Sequence, residues 1–152
     1  MAATIRSATT ADAEAVRTMA SELAAHQNQL EYMTADVDDW RTTLRRADVH
    51  IFIAEQDGEP VGYVSVLRRL HLWTGRDILA LDDIYVRPAA RDEGVGHALM
   101  RAVAGLAVPE QLPITWGARV ENEAAHRFYR RLGASMTLKA MFSWRPGEDQ
   151  GR

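Results

Sequence analysis

The chain has no cysteine, which removes disulfides, thiolate zinc sites and a cysteine nucleophile together. It has no apolar stretch near the roughly 18 residues of a membrane span. The opening MAATIRSATTADAE carries acids early and lacks the apolar core of a secretory signal. Positive charge is not in surplus either. Eighteen Lys and Arg stand against 21 Asp and Glu, a formal net charge of −3, whereas a nucleic-acid partner usually needs a basic face. That balance argues against nucleic acid as the main partner and leaves room for a local basic patch. The histidines His26, His50, His71, His97 and His126 show no zinc-ligand spacing, and with no thiolate beside them no metal is expected. A cytoplasmic protein with neither membrane nor nucleic acid as partner is the expectation.

What is present fits one domain. The 152 residues are enough to bury a real core, and no repeat or linker divides them. TIRSAT predicts a short strand. TTADAEAVRTMASELAAHQNQL has Ala15, Val16, Met19 and Leu23 at helical spacing, with Thr10 or Asp12 as the cap. ADVDDWRTTLRRA predicts a second helix with Val37, Trp40 and Leu44 on one side. HIFIAEQDGEPVGYVSVLRRL predicts a hairpin turning at Asp57-Gly58, and DILALDDIYVRP a further strand stopped by Pro88. A helix then begins near Gly94, with Val95, Leu99, Val103 and Leu106 as its apolar stripe. PITWGARV predicts a strand, and NEAAHRFYRRLGA a helix opened by Asn122 and closed by Gly133. SMTLKAMFSWRP supplies one or two closing strands, and residues 146–152 a flexible tail. The order defines a mixed α/β (α+β) class. Trp40 and Trp116 are expected in the core, and His126 in solvent. Trp73, near Arg68 and Arg69, suits either a subunit contact or a pocket wall.

VRPAARDEGVGHALM, residues 86–100, is the most informative stretch. A strand running through glycines into a helix aims unpaired backbone N–H groups at one point, where the helix dipole adds positive potential. An anion such as a phosphate is the expected ligand. Gly94 and Gly96 let the backbone approach it, and Arg87 and Arg91 are candidate charged donors. The stretch lacks both the P-loop lysine and the three-glycine dinucleotide fingerprint. The same glycines also suit a tight strand-to-helix turn with no ligand.

RDEGVG matches the R/Q-x-x-G-x-G/A pattern of the GNAT superfamily of N-acetyltransferases. NEAAHRFYRRLGA, one strand later, resembles the family's N-x-x-A-x-x-F-Y helix, and the element order agrees over roughly residues 4–145. The resemblance implies a GNAT fold: a mixed, mostly antiparallel sheet of six to seven strands, two helices on each side, and a splayed strand pair forming the cofactor cleft. It implies acetyl-coenzyme A as co-substrate. The diphosphate would lie on the N–H groups of Arg91, Asp92, Glu93, Gly94, Val95, Gly96 and His97, and the pantetheine arm along Ile84, Tyr85 and Val86. Asp92 and Glu93 stand where many relatives have basic residues or glycine, which predicts weaker cofactor binding. In relatives the residue matching Asn122 orients the pantetheine, and the one matching Tyr129 serves as general acid, so Tyr129 counts both as a cofactor contact and as catalytic. A helix cap for Asn122 and a core position for Tyr129 are the bland alternatives.

Attack on a thioester needs a neutral amine, and an alkylammonium has a pKa of about 10.4. Asp82 and Asp83, in LDDIYV, are candidates to steer a cation and accept its proton. Alternation sends them to opposite faces unless a bulge intervenes. The acidic pair and the N-terminal segment resemble the spermidine/spermine and thialysine N-acetyltransferases. That likeness implies a small cationic amine acceptor, a diamine, polyamine or lysine analogue. Glu22, His26, Glu31 and Tyr32 fall where the family shapes its acceptor pocket, with Glu31 and Tyr32 the chosen substrate contacts. Aminoglycoside and protein N-acetyltransferases stay as competitors, as does a non-catalytic module that senses coenzyme A. Family members of this size often form homodimers, so a homodimer is expected.

Overall fold

Four strands pair antiparallel in chain order: β1 (Thr4–Ser7), β2 (Val49–Gln56), β3 (Glu59–His71) and β4 (Arg76–Val86). β5 (Ile114–Thr115) joins β4 in parallel. This computed structural model describes residues 2–148. β2 and β3 pair from Gln56↔Glu59 outward, so Asp57 and Gly58 form the predicted two-residue turn, both with positive φ.

Alternation assigns each face. Ile51, Ile53, Tyr63 and Tyr85 share one side of the sheet and form a buried cluster with Val16, Met19 and Ala20 of α1 (Ala13–His26). Trp40 and Leu44 of α2 (Val37–Leu44) pack against that cluster. Each fully buried side chain of this size is worth about 1.5–3 kcal/mol, so this layer fixes where α1 lies on the sheet. α3 (Val95–Ala107) buries Val95, Leu99, Met100 and Val103. It lies on the other face: Gly62 alternates with Tyr63, and a Cβ added at Gly62 would stand 3.5 Å from Leu99 and 2.6 Å from the Tyr85 carbonyl.

These elements form one compact unit, Met1–Gly117, and Ala118–Arg152 forms a second. The second contains α4 (Glu123–Arg131). Asn122 Oδ1 accepts from the Ala125 N–H at 3.1 Å, capping the start of α4. At its end the Ala134 and Gly133 N–H groups return to the Tyr129 and Arg130 carbonyls, the Schellman arrangement.

The class matches the sequence-based expectation, but the strand count does not. The sheet has five strands, not six or seven. PITWGARV contributes only Ile114–Thr115, and SMTLKAMFSWRP contributes no strand among the described residues. That last segment has the apolar content of a strand, but a strand needs a neighbour to take its backbone hydrogen bonds. Leu138, Met141, Phe142 and Trp144 are exposed instead. Of the predicted tail, residues 146–148 form a turn and bend, and residues 149–152 lie outside the described residues. Among the described residues no helix is long and apolar enough to cross a membrane.

Candidate functional site

The turn after β4 is built from backbone. A short 3-10 turn (Pro88–Ala90) leads to Asp92, with φ +64°, and to Gly94, with φ +81°, which starts α3. No atom would meet a Cβ on Gly94 within 4 Å, so glycine is needed there for its φ and not for space. The first intrahelical bond of α3 runs from the Ala98 N–H to the Gly94 carbonyl. The amides of Val95, Gly96 and His97 therefore precede any acceptor within the helix. Alternating left-handed residues at a helix start form a concave anion site. The acids beside it are accommodated: Glu93 accepts from Gln56 Nε2 at 2.7 Å, and Asp92 is exposed. Arg91 Nε donates to the Val86 carbonyl at 3.1 Å, tying the turn to the strand end.

β4 is paired on both sides only near its start. Its register with β5 consists of Leu79↔Ile114 and Ala80↔Thr115. From Leu81 to Val86 its strand partner is β3 alone. The backbone of Ile84, Tyr85 and Val86 thus lies beyond the last β4–β5 pair, where β3 is the strand partner among the described residues.

The adjacent acids sit at an irregularity. Val66 pairs with Leu81 and Ser65 with Asp83, leaving Asp82 as the extra residue of a β-bulge. Asp83 shares the α1 side with Tyr63. Tyr63 Oη donates to Asp83 Oδ2 at 3.0 Å, and the Asp83 N–H donates to Ser65 Oγ at 3.1 Å. Burial raises the Asp83 carboxyl above the ordinary aspartate range, and the Tyr63 hydrogen bond offsets part of that rise. Asp82 is exposed; partial desolvation raises it too, and the Asp83 charge adds to the effect.

A second cluster closes the end of β4. Glu22 of α1 accepts from Tyr85 Oη at 3.0 Å and from both Nε and Nη2 of Arg87, at 3.0 and 2.8 Å. Arg87 Nη1 donates to the Pro60 carbonyl at 2.9 Å. Arg87, a candidate anion donor from the sequence, is thereby committed to Glu22 and β3. The Arg87 hydrogen bonds hold the Glu22 carboxyl below its usual range.

In the second unit Tyr129 is half-buried, its ring tilted 57° against that of Phe128 with ring centres 5.4 Å apart. Burial raises its pKa, so the phenol stays protonated at neutral pH. Glu31 and Tyr32 occupy an exposed 3-10 turn (Leu30–Tyr32). His126, expected in solvent, is half-buried with Nε2 2.9 Å from the Arg119 carbonyl. Trp116, expected in the core, is only half-buried, whereas Trp40 does pack on it. Trp73 is 96% exposed at the tip of the β3–β4 hairpin. Sequence reasoning passed over Tyr63 and Ser65. Their alternation in VGYVSVL puts both on one face, but their position opposite Asp83 depends on the bulge. Among the described residues no group of three or more His, Cys, Asp or Glu is placed to hold a metal ion.

Residues 16–134 match the Acetyltransferase (GNAT) family. The chain belongs to that family and is an acetyltransferase; the family uses acetyl-coenzyme A. It is 30% identical over 130 residues to the aminoalkylphosphonate N-acetyltransferase of Salmonella typhimurium, covering 85% of this chain and 82% of that one. It is 35% identical over 94 residues to the thialysine N-epsilon-acetyltransferase of Sus scrofa, 56% of this chain and 55% of that one. Among solved structures, an aminoglycoside acetyltransferase from an uncultured soil metagenomic sample superposes with a TM-score of 0.80 at 19% identity, over 94% of this chain and 98% of that one. AAC(6')-Iy, in complex with the bisubstrate analog CoA-S-monomethyl-acetylneamine, gives 0.78 at 22% identity, over 95% and 99%. At these identities the structural likeness speaks for the fold.

Proposed function

We propose that this acetyltransferase moves the acetyl group of acetyl-coenzyme A to the primary amine of a small cationic acceptor, a diamine, polyamine or lysine analogue, by direct attack in a ternary complex. The observation that carries the acceptor class is the bulged acid pair, with Asp83 braced by Tyr63 on the α1 side of the sheet. Two adjacent carboxylates attract a cation and leave an anionic acceptor unfavoured. Of the curated relatives, the name of the thialysine acetyltransferase agrees with a small cationic amine, whereas an aminoalkylphosphonate offers the primary amine together with an anionic group.

The residues divide the work. The amides of Asp92, Glu93, Gly94, Val95, Gly96 and His97 hold the diphosphate, aided by the α3 dipole; the Arg91 amide, expected among them, donates instead to the Pro88 carbonyl at 3.3 Å. The backbone of Ile84, Tyr85 and Val86, with β3 as its strand partner and the Val86 carbonyl also accepting from Arg91 Nε, pairs with the pantetheine arm. Acetyl-coenzyme A supplies the acetyl group as a thioester. Asp83 takes the ammonium proton, directly or through a water, and its raised pKa improves it as a base. Asp82 adds negative potential that draws in the cation. Tyr129, assigned by its motif position, donates its phenolic proton to the departing thiolate, whose pKa is about 8.5. Asn122 orients the pantetheine, and Glu31 and Tyr32 border the acceptor.

Thiol release from acetyl-coenzyme A, measured with a diamine, thialysine, an aminoalkylphosphonate, an aminoglycoside and a peptide, tests the proposal. The expected result is the highest kcat/KM for the diamine or thialysine. A clear preference for the phosphonate, the aminoglycoside or the peptide overturns the acceptor class.

A further inference from the structure

Tyr63 is a buried phenol whose hydroxyl has an unusual commitment. It is fully buried in the cluster between α1 and the sheet, yet its one polar atom reaches a carboxylate at the strand bulge. A buried tyrosine needs only some acceptor, and a backbone carbonyl would serve. Here the acceptor is the half-buried acid to which the proposed reaction gives the proton-accepting role. The Asp83 N–H is fixed separately by Ser65 Oγ, so backbone and side chain of Asp83 are held independently from β3.

We infer that Tyr63 is a positioning residue for acetyl transfer: its buried hydroxyl fixes Asp83 Oδ2 and turns the carboxylate into the orientation in which it accepts the amine proton. The inference rests on the reading of Asp83 as base. Tyr63 itself carries no proton to substrate. Burial and the neighbouring Asp83 charge both raise its pKa, so it remains a donor throughout the working range.

The electrostatic surroundings give the inference its sign. Tyr63 approaches Asp83 from β3, and Asp82 adjoins it on β4. On the α1 side stands Glu22, neutralised by Arg87 and bonded to Tyr85, whose ring lies 6.4 Å from that of Tyr63. On the opposite face of the sheet α3 carries His97 and Arg101, both exposed. Tyr63 is thus the donor that stabilises the charged form of Asp83, against burial and the Asp82 charge. Removing it raises the Asp83 pKa further and leaves less base at low pH.

The test is Tyr63→Phe, which keeps the ring and deletes only the hydroxyl. Two quantities are read: the pH profile of kcat/KM, and the titration of the Asp83 carboxyl by carbon-13 NMR. The acid limb of the profile and the Asp83 midpoint should both move to higher pH. The rate should fall most at the acid end of the profile and recover in large part at its alkaline end, by less than the roughly 10²–10⁴ that a general base supplies. A uniform loss at every pH assigns Tyr63 to structure alone and overturns the inference. An unmoved Asp83 midpoint overturns it too, whatever the activity, and leaves Asp83 as base. A moved midpoint with an unmoved rate profile refutes Asp83 as base, and the role of Tyr63 with it. Should Tyr63→Phe fold poorly, Asp83 titration in the wild-type protein is the second measurement. A midpoint below that of Asp82, despite deeper burial, supports the Tyr63 bond, and one above it counts against.

Discussion

The turn at residues 87–97 and the α1-side face of β3 and β4 adjoin one another and are built by different rules. The turn presents backbone amides, positioned by Gly94 at φ +81° and by the start of α3. The face presents side chains drawn from distant parts of the chain: Glu22 from α1, Tyr63 and Ser65 from β3, Asp83 and Tyr85 from β4. A backbone site tolerates varied side chains, as Asp92 and Glu93 beside a proposed diphosphate illustrate. A side-chain site depends on each residue and on the register that brings them together. In the proposed division of labour the turn holds what all family members use, and the face chooses the acceptor and moves its proton.

On that division, changes on the face should strike turnover and changes in the turn should strike cofactor affinity. The largest expected effect is Asp83→Asn, which removes the base and should lower kcat by roughly 10²–10³ while acetyl-coenzyme A affinity, measured by calorimetry, stays within about twofold. Asp82→Asn, on the exposed side of the bulge, should cost less than about tenfold and mainly in the KM of a cationic amine. Equal losses at both positions would erase the distinction between base and steering charge.

Next in size is Gly94→Val. Its expected cost is backbone strain of about 1–2 kcal/mol or more, because space is open around Gly94. The affinity for coenzyme A should fall about tenfold or more, with kcat at saturation nearly preserved. A fall in kcat at unchanged affinity would place the turn in the chemistry and break the comparison.

The smallest effect is Glu22→Gln. The Glu22–Arg87 pair is about one-third exposed on each side, so screening limits its worth to about 1 kcal/mol, a drop of roughly 2–4 °C in Tm for a chain of this size. Glu22 is held below its ordinary pKa by Arg87. Its contribution is therefore complete above about pH 4.3, the unfolded value, and disappears as pH falls through the depressed folded value. The stability gap between wild type and variant, measured by urea unfolding, should narrow on acidification. A gap that widens there would contradict the ion pair as its source.

How much was legible follows the same line. The hairpin at Asp57-Gly58, the start of α3 and the capped α4 are local, and each came from turn or cap chemistry within a few residues. The extra strand expected in SMTLKAMFSWRP failed because apolar content says nothing about whether a partner edge exists. The sequence marks Asp82 and Asp83 as a pair, and alternation puts them on opposite faces unless a bulge intervenes. The register Val66↔Leu81, Ser65↔Asp83 settled that condition.

By itself the sequence determined the class, the family motif, the helix starts and the residue types able to bind an anion or move a proton, because these depend on contacts within a turn or two of chain. Tertiary structure alone decided that Tyr63 meets Asp83 and that Glu22 takes Arg87 away from the anion turn. Those pairs are 20 and 65 residues apart. A single slipped position in the β3–β4 register would turn Asp83 to the face opposite Tyr63.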